Sequence, residues 1–257
     1  MKIVLTILIC LVNSSLGAHI YLSSGADRVG VANLNIISHS PLTSYYQTGV
    51  YNDGISCSIS QPFQFSGVEN GNVSVSKSFH AYNISLGTLY LLSDHYTQFS
   101  NYLNFNYTIH DLITLGIGQK IITVNEEENY NYAITDIGCK IYKDKTKFAV
   151  NYTNLLQKES SKIELPNIVT TEISYSPTDD TDLAIGLEKE KNHQFSTSLG
   201  IRYKVMESLT LLSGYSLEPN QISFGLSINY QRFNVNYAIV THPELNSTHH
   251  ISLIYEM

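Results

Sequence analysis

The C-terminal part of this chain alternates apolar and polar residues with a period of two. In residues 221–230, every second position carries a large apolar side chain, while the positions between carry small or polar ones: Ile222, Phe224, Leu226, Ile228 and Tyr230 against Ser223, Gly225, Ser227 and Asn229. Successive side chains of a β-strand point to opposite sides, so this pattern predicts strands with one apolar face. Residues 232–241 and 248–256 repeat it. Such strands build either a β-sandwich or the wall of a membrane barrel.

The same rhythm extends along most of the chain from Gly54 onward. It predicts about fourteen strands of the length that membrane barrels use. The predicted strands are 54–62, 71–79, 81–92, 98–109, 112–124, 131–142, 145–156, 167–176, 181–189, 194–204, 208–216, 221–230, 232–241 and 248–256. The run 131–142 changes phase midway, which predicts either a β-bulge or a wrong strand boundary there.

The N-terminus has the features of a secretory signal peptide, predicted to span residues 1–17. Lys2 supplies a positive start, residues 3–12 are apolar, and small residues follow at 15–17. The apolar stretch is too short to span a bilayer as a helix, and no later run is long enough. Membrane insertion would therefore require a closed barrel, and we expect a location in the bacterial outer membrane.

Composition excludes several classes of function. The formal net charge of −7 offers no basic surface for nucleic acid. Only 14% of the residues are charged and 19 are tyrosines, which suits strands between lipid and a polar lumen. Cys57 and Cys139 lie in phase with apolar neighbours and indicate small apolar side chains, with a disulfide as the alternative. We find no nucleophile motif or cluster of metal ligands, and expect no catalytic residue, metal or cofactor.

Residues 18–50 lack this rhythm. The stretch 25–30 is small and irregular, and we expect it to pack in or against the lumen, with a short strand near 45–51. The alternative is a mobile N-terminal arm. The predicted division of the chain is thus a signal peptide (1–17), a lumen segment (18–50) and a barrel (51–257).

Several charged residues fall on the strand face opposite the apolar side chains. The candidate lumen-lining charges are Lys120, Asp136, Lys140, Lys147, Glu172, Glu188, Arg202 and Lys204. A charge facing lipid costs about 2–4 kcal/mol at the midplane, so a barrel must place these inside. A soluble sandwich would place them toward water, so their phase alone does not decide the architecture. We expect Glu172, Glu188 and Arg202, on consecutive predicted strands, to form either a charged girdle or an ion network that fills the lumen, and favour the second.

Loop lengths favour the barrel. Connections after even-numbered predicted strands are short, and most of those after odd-numbered strands are longer. Short turns at one end and longer loops at the other are typical of outer-membrane barrels.

The C-terminal residues resemble a known group. Gly214-Tyr215 with 219–225, followed by Tyr237-Ala238, 242–245 and 248–253, is similar to the closing strands of PorV-like proteins of the FadL superfamily. Gly25-Ala26 with Gly30 resembles the glycine-rich opening of that group. The resemblance implies an all-β fold: a transmembrane antiparallel barrel of fourteen strands with the N-terminal segment folded into the lumen.

Three functions remain open from the sequence. The first is passage or binding of a small hydrophobic molecule in an outer-membrane barrel. The second is a barrel that acts as a scaffold or as the partner of a secretion-system protein, through its outer loops. The third is a soluble secreted β-sandwich adhesin.

Overall fold

The computed structural model describes residues 24–126, 129–159, 165–191 and 193–257. Fourteen antiparallel strands follow one another around a closed barrel, and β1 pairs with β14 to complete it. The strands are β1 (Gly54–Gln61), β2 (Val68–Phe79), β3 (Tyr82–Ser93), β4 (Thr97–Ile109), β5 (Ile113–Asn125), β6 (Asn129–Lys143), β7 (Thr146–Glu159), β8 (Ile168–Thr178), β9 (Thr181–Glu190), β10 (Phe195–Met206), β11 (Leu209–Leu217), β12 (Gln221–Tyr230), β13 (Phe233–Val240) and β14 (Thr248–Tyr255). The predicted signal peptide, residues 1–17, lies outside the described residues.

Closure of the sheet decides between barrel and sandwich. In a sandwich the apolar faces of two layers would be buried against each other, but here they point outward. On β4, Leu103 is 54% exposed whereas its neighbour Tyr102, on the inner face, is 4% exposed. Outward apolar side chains occur around the whole barrel, and only hydrocarbon can cover a surface of this shape.

The two ends of the barrel differ. At one end, which we call the turn end, the connections are short, such as 80–81, 144–145 and 231–232. At the other, the loop end, they include 62–67 and 241–247, and a 3₁₀-helix (Pro62–Gln64) lies in the first of these. Outward aromatic side chains mark the turn end: Phe79, Tyr82, Tyr107, Tyr175, Tyr203, Tyr230 and Phe233. Such a girdle is typical of the boundary between lipid and water.

The N-terminal residues fill the interior. Residues 24–53, which we call the plug, lie inside the barrel with nearly all side chains buried. The plug contains two short helices, α1 (Ala26–Val29) and α2 (Thr43–Tyr46). No described helix combines the length and apolar character needed to cross a membrane.

The expected short strand at 45–51 is wrong, because α2 occupies its first residues. The hydroxyl of Ser40 accepts a hydrogen bond from the Leu42 N–H at 3.2 Å, and Pro41 stands between them. Ser40 and Pro41 precede Leu42, the N-cap residue of α2, and the Thr43 N–H closes a turn by donating to the Ser40 carbonyl oxygen at 3.1 Å. Proline favours the second position of such a turn, which leads into the helix and overrides the extended tendency of Tyr45 and Tyr46.

The bulge expected in 131–142 lies in the neighbouring strand. β6 alternates regularly, but Thr135 faces Leu156 and Ile137 faces Tyr152, so β7 carries the extra residues. The apparent phase change in β6 arises because its inner residues near the loop end, Tyr132 and Ile134, are apolar. They form a buried cluster inside the barrel with three other apolar side chains: Ile122, Val124 and Leu165.

Candidate functional site

The wall carries glycines where the plug backbone comes closest. A Cβ at Gly138 on β6 would overlap the carbonyl oxygen of Thr48. Four strands further round the wall, a Cβ at Gly200 on β10 would lie 2.7 Å from Leu34 Cδ1 and 2.8 Å from the Val31 carbonyl oxygen. A Cβ atom cannot approach the carbonyl oxygens of Thr48 and Val31 this closely, so glycine is required where the plug backbone contacts Gly138 and Gly200.

Glu172 anchors the plug to β8. Its Oε1 accepts hydrogen bonds from the Asn35 backbone N–H at 3.1 Å and the Asn35 amide at 2.9 Å. Its Oε2 accepts the Ile36 N–H at 2.7 Å, and the Gln47 amide nitrogen, in the orientation that satisfies its own atoms, lies 3.0 Å away. One buried carboxylate thereby satisfies backbone donors that the irregular plug cannot pair with itself.

A buried ion pair lies on β5 and β6, two to three strands round the barrel from β8. Lys120 Nζ on β5 is 2.6 Å from Asp136 Oδ2 on β6, and both side chains are shielded from solvent. The same ammonium lies 4.2 Å from the ring centroid of Tyr45 in α2. Asp136 Oδ1 accepts the backbone N–H of Asn154 at 2.9 Å, in the bulge of β7. The pair therefore joins the plug, two wall strands and the bulge.

A second cation is covered by a plug tyrosine. The Arg28 guanidinium lies 3.4 Å from the ring centroid of Tyr46 and donates to the carbonyl oxygens of Ser24 and Asn33. Burial raises the pKa of Tyr46 to about 12, and the positive charge of Arg28 opposes this shift. The phenol is therefore neutral through the physiological range and stacks as an aromatic face.

Asp27 and two wall asparagines fix the remaining plug residues. Asp27 Oδ2 accepts three hydrogen bonds within the plug, from the Ser38 hydroxyl and from the N–H groups of His39 and Ser40. Wall asparagines accept backbone donors: Asn151 Oδ1 lies 3.0 Å from Thr48 N, and Asn106 Oδ1 lies 2.9 Å from Gly49 N. The plug is thus held by charged and amide groups on several strands.

An upper chamber of about 430 Å³ opens at the loop end and reaches down to the plug. Its floor includes Leu34, Tyr45 and Tyr46, and its mouth includes Gln194 and Pro219. Glu188, Glu190 and Glu218 line the chamber near the loop end. At its base, the charged groups Arg28, Lys120 and Glu172 make the contacts given above. An uncharged guest would therefore leave none of these three charges unpaired.

A lower chamber of about 300 Å³ lies at the turn end, on the other side of the plug. It is polar, and its lining includes His39, Asp182, Arg202 and Lys204. Arg202 is 6% exposed, and within the described part of the chain its Nη1 has no hydrogen-bond partner. Asp182, the cross-strand neighbour of Arg202, instead accepts a hydrogen bond from the Ser176 hydroxyl.

The sequence-derived charges fall into distinct environments. Lys120, Asp136, Lys140, Glu172 and Arg202 are buried, whereas Lys147 and Glu188 are half-buried and Lys204 is exposed. The structure brings Lys120 and Asp136 together. Lys140 Nζ instead lies 5.2 Å and 4.7 Å from the ring centroids of Tyr51 and Tyr142.

Glu172, Glu188 and Arg202 are divided between two chambers. Glu172 binds the plug and lines the upper chamber together with Glu188, whereas Arg202 lines the lower one. Consecutive strands place charges on one face but do not fix their height in a sheared barrel.

Sequence reasoning missed the plug side of the site. Asp27, Arg28 and the wall asparagines were not candidates. The signal for the asparagines was present, because Asn104 and Asn106 both fall on the polar phase of β4, and amides there imply backbone donors to satisfy.

Comparisons with known proteins agree with this architecture. No protein-family model and no curated protein matches the sequence. Among solved structures, a Pseudomonas aeruginosa FadL homologue has a TM-score of 0.64 at 8% identity and covers 92% of this chain and 99% of its own. The CymD monoaromatic hydrocarbon channel has a TM-score of 0.63 at 11% identity, covering 92% and 98%. The P. putida toluene transporter TodX has a TM-score of 0.62 at 10% identity, covering 91% and 99%. At this level of identity the likenesses show the fold alone: a closed antiparallel barrel similar to those of outer-membrane channel proteins.

Proposed function

We propose that this protein binds a small hydrophobic molecule in the upper chamber and provides a route for it across the bacterial outer membrane. The observation that carries the proposal is a chamber open at the loop end, with Leu34, Tyr45 and Tyr46 on its floor. Two structural neighbours, CymD and TodX, are described as a monoaromatic hydrocarbon channel and a toluene transporter. A planar aromatic guest fits the size and the aromatic floor of this chamber.

Binding can be tested with an introduced tryptophan, because the native chain has none. Ser198 lines the upper chamber, and Thr210 lines the lower chamber beyond the plug. In lipid nanodiscs, toluene should change the emission of Ser198→Trp saturably and leave Thr210→Trp unchanged. An equal, non-saturating change in both variants would indicate partitioning into lipid and would refute a bound molecule. Passage is tested separately, by the rate of labelled toluene uptake into intact cells with and without the protein.

The filled lumen favours a second candidate function. The plug closes the barrel between the two chambers, and its residues are almost entirely buried. A PorV-like scaffold that contacts a secretion-system protein through the loop end would need no open passage. Liposome swelling in a sugar solution is a one-sided test. Swelling caused by the native protein would refute a pure scaffold, because a scaffold provides no open passage. Binding of toluene in the upper chamber favours the first reading.

The proposal assigns roles to parts of the chain. Residues 1–17 act as the signal peptide, 18–50 as the lumen segment and 51–257 as the barrel. The inward charges fill and anchor the interior, with no role in covalent chemistry. The partners are the outer-membrane bilayer and the hydrophobic ligand.

A further inference from the structure

A polar stripe interrupts the outward apolar surface on β3–β6. Its members carry amide or hydroxyl groups and point away from the lumen: Thr88, Asn101, Gln119, Thr123, Asn131 and Thr135. Cross-strand pairing makes them neighbours, because Thr88 pairs with Asn101 and Gln119 pairs with Thr135. We call this set the amide stripe.

The amide stripe lies within the lipid-facing part of the wall. On the outward face of β4, Asn101 stands between Phe99 and Leu103, both of them exposed. On β5, Gln119 follows the outward residues Ile113, Leu115 and Ile117. At about 3.3 Å per residue and a strand tilt near 40°, Gln119 lies about 15 Å above the turn-end start of β5, inside an apolar band about 25 Å tall.

Some polar groups of the stripe have partners and others do not. The Thr135 hydroxyl donates to Gln119 Oε1 at 3.0 Å, and the Thr123 hydroxyl donates to Asn131 Oδ1 at 2.9 Å. In the described portions of the chain, no hydrogen bond is made by the Gln119 amide nitrogen or by either amide atom of Asn101. An amide left without a partner in hydrocarbon costs several kcal/mol, so a monomer surrounded by lipid would carry this penalty at three atoms.

We infer that the amide stripe is the contact surface for a second copy of this chain in the membrane. The stripe is uncharged, so it offers nothing to an oppositely charged partner. Each amide carries both a donor and an acceptor, so a two-fold axis through the stripe lets Asn101 and Gln119 of one copy satisfy those of the other. Bonds of this kind drive association inside membranes, where apolar contact alone gives little preference for protein over lipid.

The described outward faces of β8, β10 and β11 carry no side-chain amide. Outward polar positions on the described parts of β8, β10 and β11 carry single hydroxyls, at Thr171, Thr197 and Ser213. A hydroxyl can be partly satisfied by the backbone of its own strand, whereas a side-chain amide needs two partners of its own. The amide positions therefore locate the contact on β4 and β5.

The test is the oligomeric state in nanodiscs and its dependence on the stripe. The native protein should show two copies per assembly by single-molecule photobleaching, and Asn101→Leu/Gln119→Leu should shift the distribution to monomers. The matched control is Ile121→Leu, an outward substitution beside the stripe that alters no polar group. Unchanged heat-modifiable migration on gels shows that each variant has folded.

Site-specific cross-linking supplies the second measurement. In a background with Cys57 and Cys139 replaced by serine, Asn101→Cys should give a dimer band with a short bismaleimide. Val235→Cys, on β13 and 47% exposed, should not. A monomer at every protein-to-lipid ratio would overturn the inference. A dimer that survives the double leucine substitution, or that cross-links through residue 235, would overturn it as well.

Discussion

Loss of the Asp136 carboxylate should destabilise the folded barrel strongly. In Asp136→Ala the ammonium of Lys120 stays in an interior where its side chain is 2% exposed, without its partner at 2.6 Å. Removing one member of a buried pair typically costs about 3–5 kcal/mol. The Asn154 N–H also loses its acceptor, which adds about 1–3 kcal/mol for an unsatisfied buried donor.

The ring of Tyr45 does not change this sum. Lys120 Nζ lies 4.2 Å from the ring centroid in the native protein, and the contact persists in the variant, so it cancels in the comparison. The net expectation is a decrease of about 4–8 kcal/mol in the free energy of unfolding. Urea titration in detergent micelles, followed by heat-modifiable gel migration, measures it.

A double substitution tests whether the loss of stability comes from the unpaired charge of Lys120. Lys120→Met/Asp136→Leu removes both charges and leaves an apolar pair of similar size, so the buried-charge penalty disappears. We expect the double variant to be more stable than Asp136→Ala by about 2–4 kcal/mol, with the Asn154 N–H as the residual defect. If the double variant were less stable than the single one, the pair would act through something other than compensation of a buried charge.

Three further predictions address the plug and the lower chamber. Glu172→Ala should lower the free energy that holds the plug in place by about 2–5 kcal/mol, because two backbone donors lose their acceptor. A cysteine introduced at Ser38 should then react at least ten times faster with a maleimide. An unchanged rate would contradict the anchoring role. Gly138→Val should displace the plug and raise sugar flux in liposome swelling, whereas Ile137→Val on the outward face should not; a closed and stable Gly138→Val would show that the plug backbone can shift. Arg202→Met should raise the free energy of unfolding, measured by urea titration, by about 1–2 kcal/mol. The substitution removes a buried guanidinium that lacks an ion-pair partner among the described residues. A loss of stability would show that the charge is compensated.

The wall of the barrel could be predicted from sequence because period-two alternation is a local property. Strand number, outward apolar faces and the inward phase of Lys120 and Asp136 all follow from it. The register between strands was harder to predict from the sequence. The extra residues of the bulge lie in β7, whereas the apparent phase change lies in β6. The inward apolar residues Tyr132 and Ile134 reversed the usual pattern there.

The plug could be placed in the lumen but not described in detail. Its residues have no period, because their backbone donors are satisfied by side chains of distant strands such as Glu172 and Asn151. The contact between the plug and Gly138 could not be predicted either, because a glycine within a strand is equally consistent with a β-bulge.

The joint between β1 and β14 has a consequence for biogenesis. Ile55 pairs with Tyr255, so the ring is completed by residues near opposite ends of the sequence. The plug precedes β1 and is translated before any wall strand exists. The plug can therefore be enclosed only after β14 has paired with β1. A chain that stops before Thr248 would have two unpaired sheet edges, and its barrel could not close. We expect such truncated chains to be degraded rather than inserted as smaller pores.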